Sequence, residues 1–235
     1  MLAVYKREFL SYFRSPIGCV FMGMFLLVSG LFFTTGNVFA NSASVGALMS
    51  NISFVFMLIV PILTMRLISD DRRNKTDQLL ITSPLSIPDI VIGKFLAACT
   101  VFLMTLLITL IYVFIMSIFG TPALGQAFVS YLGFFLMGCC FIAIGTLMSA
   151  LTENQITAAI TTFGTILLFF LMDTLAKDIK IKWLGTVLNW LSIYTRFSPF
   201  SNGLLSIDNI VYLLTFMFIF LFLTVRVIEK RRWSE

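Results

Sequence analysis

Six separate stretches of this chain are each long and apolar enough to cross a lipid bilayer, which leaves few folds open. They lie at about residues 17–36, 51–68, 90–118, 127–150, 156–176 and 209–228. A spanning helix needs about 20 consecutive apolar residues, and in lipid every backbone N–H and C=O must be satisfied within the protein. The chain therefore reads as an all-α integral membrane protein with six transmembrane helices. Residues are 59% hydrophobic and 11% charged, against about 25% charged in soluble domains. The polar remainder is too short for a soluble catalytic domain, so residues 1–235 read as one membrane domain. The first stretch exceeds a signal peptide's apolar region of about 7–15 residues, and five more follow it, so it reads as a span.

Placement of charge orients the spans. Twelve basic residues fall in three polar zones: Lys6, Arg7, Arg14, Arg66, Arg72, Arg73, Lys75, Lys94, Arg226, Lys230, Arg231 and Arg232. With six spans, all three zones share one side. The other four, Lys177, Lys180, Lys182 and Arg196, fall opposite, in the longest outer loop. Short basic loops stay cytoplasmic, so both termini are expected in the cytosol. Scattered among juxtamembrane zones, these residues make no nucleic-acid surface.

Much chemistry is missing. There is no histidine, which removes the commonest general base and metal ligand. Cys19, Cys99, Cys139 and Cys140 sit inside apolar spans without metal-ligand spacing and read as small core hydrophobes. No G-x-x-x-x-G-K-[ST] loop occurs, so the chain does not cradle nucleotide phosphates itself. Intramembrane proteolysis lacks its serine–histidine or paired-aspartate machinery. Spans nearly free of charge also disfavour ion-coupled secondary transport, which uses acids or broken helices near the midplane.

The longest polar interruption runs from Ser69 to Phe95. It opens on Asp70, Asp71, Arg72 and Arg73, adds Lys75 and Asp77, and turns apolar at Leu79, Leu80 and Ile81. A helix over 70–82 sets Leu79 and Leu80 on a different face from Arg72 and Arg73. Ser83-Pro84 should stop it, because the residue before proline is pushed out of the helical region. Ser86, Pro88 and Asp89 then read as the start of the third span, with Ser86 as N-cap. A charged rim beside an apolar anchor is the mixture an interface needs. The alternative is an amphipathic helix resting on lipid, but Asp70, Asp71 and Asp77 would be repelled by anionic headgroups.

The run D-D-R-R-N-K-T-D-Q-L-L-I-T-S-P-L-S-I-P-D-I-V-I-G-K-F resembles the cytosolic coupling segment of ABC-2-type transporter permeases. Within that family it is most similar to gliding-motility-type and copper-processing-type subunits, with aspartates at 70 and 77 where glutamates are usual. The ending, T-R-F-S-P-F-S-N-G, then a span and V-I-E-K-R-R-W, resembles the same group. This likeness implies a permease subunit, not itself an enzyme, in the bacterial cytoplasmic membrane, coupled to separate cytosolic ABC ATPase subunits that bind ATP and Mg. It implies a second permease subunit, identical or related, and ATPase contact through Asp70, Arg72, Arg73, Asp77, Leu79, Leu80, Ser83 and Pro84. In some relatives it implies an accessory extracytoplasmic protein, and export as the direction. The competing reading is a scaffold or channel-like protein that needs no ATPase.

Three further segments bear on function. In residues 1–16, Leu2, Tyr5, Phe9, Tyr12 and Phe13 share one helical face while Lys6, Arg7 and Arg14 reach headgroups, as expected of an interfacial helix. Glu153, the only charge in the turn at 151–155, is either a second partner contact or a solvated residue. Trp183, Trp190, Tyr194 and Arg196 mark a helix half-sunk in the outer leaflet, ended by Phe197-Ser198-Pro199, and a place for an accessory subunit to touch. Gly145 and Ser149 predict a close helix approach. Thr157, Thr161 and Thr165 form a stripe read as packing.

Overall fold

The computed structural model describes residues 1–40, 42–73, 86–178, 183 and 190–232. Among them there is no strand. The helices are α1 (Leu2–Arg14), α2 (Pro16–Phe33), α3 (Val45–Thr64), α4 (Ser69–Arg73), α5 (Ile87–Ile108), α6 (Leu110–Phe119), α7 (Leu124–Leu151), α8 (Gln155–Asp178), α9 (Ile193–Ser201) and α10 (Ile207–Arg232). A π-helical turn, Thr34–Val38, extends α2. Six helical segments are long and apolar enough to cross a membrane, the number expected.

Burial sorts the six. In the most apolar stretch of α7, 72% of residues are buried, against 17% in each of α8 and α10. With α3, α7 forms the centre, and the other helices turn large apolar side chains such as Phe114 and Phe218 outward, where lipid would cover them. The centre is aromatic. Phe56 of α3 stacks on Phe102 of α5 with ring centroids 4.7 Å apart, and lies 5.1 Å from Phe134 of α7 and 5.6 Å from Phe25 of α2. Each such pair contributes about 0.5–1.5 kcal/mol beyond area burial.

Glycines set how closely the central helices approach. A Cβ on Gly145 would collide with Thr64 of α3, on Gly138 with Phe102, and on Gly133 with Phe200 of α9. The expected close contact at Gly145 and Ser149 is therefore present. Ser149 Oγ accepts from the Ile68 and Ser69 amides at 3.0 and 3.1 Å, which ties the chain leaving α3 to the end of α7.

Element boundaries depart from the sequence reading in three places. The second span starts at Val45, not near 51, because Ser44 caps it by accepting from the Ala47 amide. The third remains one membrane-length segment, Ile87–Phe119, but its regular helix is interrupted at Thr109, whose carbonyl accepts from the Tyr112 amide at 2.9 Å and from Tyr131 of α7 at 2.9 Å, so the interruption is satisfied inside the protein as lipid requires. Finally, Pro199 does not end its helix. Ser192 caps α9, which runs through Pro199 to Ser201. The stop is at Gly203, whose φ of 80° is left-handed. Its amide bonds Phe200 O at 3.0 Å, and the Leu204 amide bonds Pro199 O at 2.9 Å. These two bonds make a Schellman cap, and they account for the Asn202-Gly203 dipeptide. A proline in the middle of so short a helix removes one internal bond and leaves the remainder intact.

Candidate functional site

Charged side chains gather at one end of the bundle, around the five-residue helix α4. Asp70, Asp71 and Arg72 each reach a different neighbour. Asp70 Oδ2 takes Arg66 Nη2 at 2.7 Å and Nε at 3.2 Å, while Oδ1 accepts from Gln155 of α8 at 2.7 Å. Arg72 donates to the Ala150 carbonyl at the end of α7 at 3.2 Å and pairs with Glu153 at 2.5 Å. Asp71 Oδ2 stands 2.6 Å from Lys94 of α5 and 3.9 Å from Arg7 of α1. Four helices that cross or flank the membrane therefore converge on α4.

Lys94 is the anchor of this arrangement. Only 3% of its side chain is exposed. Its ammonium donates to Glu8 Oε1 at 3.0 Å and to the Leu67 carbonyl at 2.6 Å, and forms an ion pair with Asp71 Oδ2 at 2.6 Å. The sequence reading counts Lys94 among flanking cations. The structure corrects this, burying it between α1, α4 and α5. A buried lysine is costly unless paired and hydrogen-bonded, and the two carboxylates are what make it tolerable here.

Helix α1 is held by the same residues. Part of its apolar stripe packs on the bundle: Tyr5 Oη donates to Thr100 of α5 at 3.1 Å, and Tyr12 Oη to the Leu63 carbonyl at 2.9 Å. Val4 and Tyr12 are buried, whereas Leu2 and Phe13 remain exposed. Burial pushes the Tyr12 phenol well above its ordinary pKa, and the nearby Glu8 carboxylate adds to the shift. For Arg7, burial lowers the pKa, but the bond to Glu8 and the charges of Glu8 and Asp71 outweigh it, and the net shift is upward.

Between α1 and the α3–α4 junction lies a cavity of about 420 Å³. Its walls carry four basic side chains, Arg7, Arg14, Arg66 and Lys94, and three acidic ones, Glu8, Asp70 and Asp71.

The expected site residues divide as follows. Asp70, Arg72 and Glu153 meet around α4, with Arg7 alongside; Arg73 is exposed at its end. Phe9 packs edge-on against Phe13 at 5.1 Å, Lys6 and Arg14 are exposed, and Arg14 reaches the cavity. Asp77, Leu79, Leu80, Ser83 and Pro84, and so most of the expected helix over 70–82, lie outside the described residues. At the far end, Trp183 and Trp190 are exposed. Trp190 meets the Tyr212 ring edge-on at 5.7 Å, Tyr194 lies 4.8 Å from Phe170, and Arg196 stands over the Tyr212 ring at 5.0 Å and donates to Asn209 at 3.3 Å. Gln126, which donates to Ser201 of α9, is 24 residues along α7 from Ala150. At 1.5 Å rise per residue the two clusters are about 36 Å apart.

Glu8, Asp71, Lys94 and Gln155 were missed as site residues. One signal pointed to the first and third. Glu8 is the sole acid in residues 1–16, and Lys94 follows a span start that is otherwise uncharged apart from Asp89. Their separation of 86 residues hid the pairing. Among the described residues no group of histidine, cysteine, aspartate or glutamate could hold a metal ion.

No curated protein matches the chain. The family model of the ABC-2 family transporter proteins matches residues 2–228. That is nearly the whole length, and it takes in all six membrane-length helices and the α4 cluster. This multi-pass membrane chain belongs to the ABC-2 transporter family and has the build of its permeases.

Proposed function

We propose that the chain is the permease subunit of a transporter whose ATP hydrolysis resides in a separate cytosolic ATPase, and that α4 is where force enters. The observation that carries this reading is the convergence on α4. Asp70, Asp71 and Arg72 join it to α8, to α5 and α1, and to the α7–α8 turn. A push on the exposed Arg73 end would reach four helices through short polar contacts, without passing through soft apolar packing. In this reading ATP and Mg sit on the ATPase, and Asp77, Leu79, Leu80, Ser83 and Pro84 continue the receiving surface. Glu153 acts through Arg72 as a positioning residue, fixing the second inner turn to α4.

The abundance of basic residues near α1, α4 and the α10 end supports a cytosolic location for this side and for both termini. Similarity of the segment over 70–95 supports a place beside the gliding-motility-type and copper-processing-type permeases of bacterial cytoplasmic membranes. A second permease subunit would complete the assembly, and export follows by family analogy alone. Trp183, Trp190, Tyr194 and Arg196 form the surface where an accessory extracytoplasmic subunit would dock.

The test is copurification of the tagged chain in mild detergent, with R73E and E153Q beside wild type. An ATPase should accompany wild type and be lost from R73E, whose side chain is exposed and whose fold should be intact. E153Q should retain the ATPase but reduce transport-coupled hydrolysis, since an ion pair this exposed contributes at most about 1 kcal/mol to folding. Absence of any ATPase even after crosslinking would replace this reading with an ATPase-independent scaffold or channel.

A further inference from the structure

We propose that the cavity between α1 and the α3–α4 junction is a binding site for the phosphate of an anionic glycerophospholipid. The inference needs only the membrane setting and not the ATPase reading. Three observations converge on it. First, four basic and three acidic side chains line the cavity, leaving one positive charge in excess, the amount a single phosphodiester neutralises. Glu8 and Asp71 are engaged by Lys94, and Asp70 by Arg66 and Gln155. Arg14 belongs to no ion pair among the described residues and is the cation left to bind an incoming anion.

Second, the start of α2 opens into the same space. Ser15 is its N-cap residue yet makes no side-chain cap bond, and Pro16 occupies the first turn. Ser15 and Ile17 both line the cavity. The first amides of a helix have no intrahelical acceptor and favour an anion, so the α2 terminus adds donors beside Arg14.

Third, the surroundings fit a lipid better than a free phosphate. The cavity lies where α1 turns into a membrane-length helix, at headgroup depth, and about 420 Å³ falls in the range of about 300–1,000 Å³ that holds small molecules. From Ile17, the residues one, two and three turns on, Val20, Met24 and Leu27, share its helical face, and all three are exposed. A headgroup seated on Arg14 would lay its acyl chains along that face.

The experiment is native mass spectrometry of the full-length chain released from nanodiscs of equimolar phosphatidylglycerol and phosphatidylcholine, comparing wild type, R14E and K6E. Lys6 lies on the same helix and is exposed but does not line the cavity, so K6E makes the same charge change outside the site. Wild type should retain one phosphatidylglycerol per chain. R14E should lower that retention about fivefold or more, since each cation near an anionic surface is worth about 1 kcal/mol, while K6E should change it less than about twofold. Equal losses in R14E and K6E would mean diffuse surface attraction and would overturn the site. Equal retention of both lipids would overturn its preference for anions. Displacement of the lipid by glycerol 3-phosphate at millimolar concentration would reassign the site to a soluble phosphate and overturn the lipid assignment.

Discussion

Lys94 Nζ stands 3.0 Å from Glu8 Oε1 across 86 residues of sequence, and this contact makes the N-terminal helix part of the bundle. Helix α1 is bolted to α5 by a buried ammonium that also holds Asp71 of α4 at 2.6 Å. Any motion of α4 relative to the membrane helices must carry α1 with it or break a charge pair in a poorly solvated place.

The first prediction concerns that bolt. K94M keeps most of the stem and removes the charge, taking from Glu8 and Asp71, which are 15% and 20% exposed, their most buried partner while Arg7 stays beside both. Removing one partner of a buried ion pair costs about 3–5 kcal/mol; with partly solvated acids the loss should fall near the low end. Thermal unfolding in detergent would measure it. The triple change K94M/E8Q/D71N should regain most of the loss. A triple variant as unstable as K94M would show that the cost is packing, not the lost ion pairs.

The second concerns the closest helix crossing. Gly145→Val drives a side chain into Thr64 of α3, whose backbone is fixed by Ser149 just beyond. Overpacking of this kind costs about 1–3 kcal/mol. A compensating Thr64→Gly should restore part of the stability, read as recovery of monodisperse protein on size-exclusion chromatography. No recovery would place the collision elsewhere.

The third is a pH dependence. Tyr12 donates to the carbonyl of Leu63, one of the end carbonyls of α3 that lack an intrahelical partner. Y12F should cost about 1 kcal/mol at neutral pH. The folded pKa is raised, first by burial and then by Glu8, above an unfolded value of about 10. The contribution of Tyr12 is therefore fully present below about pH 10 and is lost as the pH rises past it. In denaturant or thermal melts the gap between wild type and Y12F should hold from pH 7 to 9 and narrow above 10. A gap that widens with pH would contradict the assignment.

Much of the architecture was legible in the sequence because lipid imposes a simple rule: a run of about 20 apolar residues has to become a helix. Six such runs gave six membrane-length helices, and the caps at Ser86 and the close approach at Gly145 followed from local chemistry. The motif at 70–95 and the ending after Thr195 pointed to the family. The details that failed were those in which a distant partner outweighs local preference. Pro199 reads as a stop, but α9 continues because Gly203 supplies the cap. Span three reads as continuous and is one membrane-length segment, but no local signal marks the interruption at Thr109 beside Tyr131. Residues 1–16 read as an interfacial helix, and nothing local tells that its Tyr5 and Tyr12 find acceptors on α5 and at the end of α3.

The sequence alone determined that this protein lives in a membrane, how many times its helices can cross, and which segment carries the charge. Hydropathy and local periodicity are properties of neighbours in the chain, so no tertiary knowledge is needed to read them. Only the tertiary structure decided which charges meet. Glu8, Asp71 and Lys94 are unremarkable in their own segments, and their coupling exists because packing of α1, α4 and α5 brings them together where the ammonium is almost fully buried and is stable only when paired.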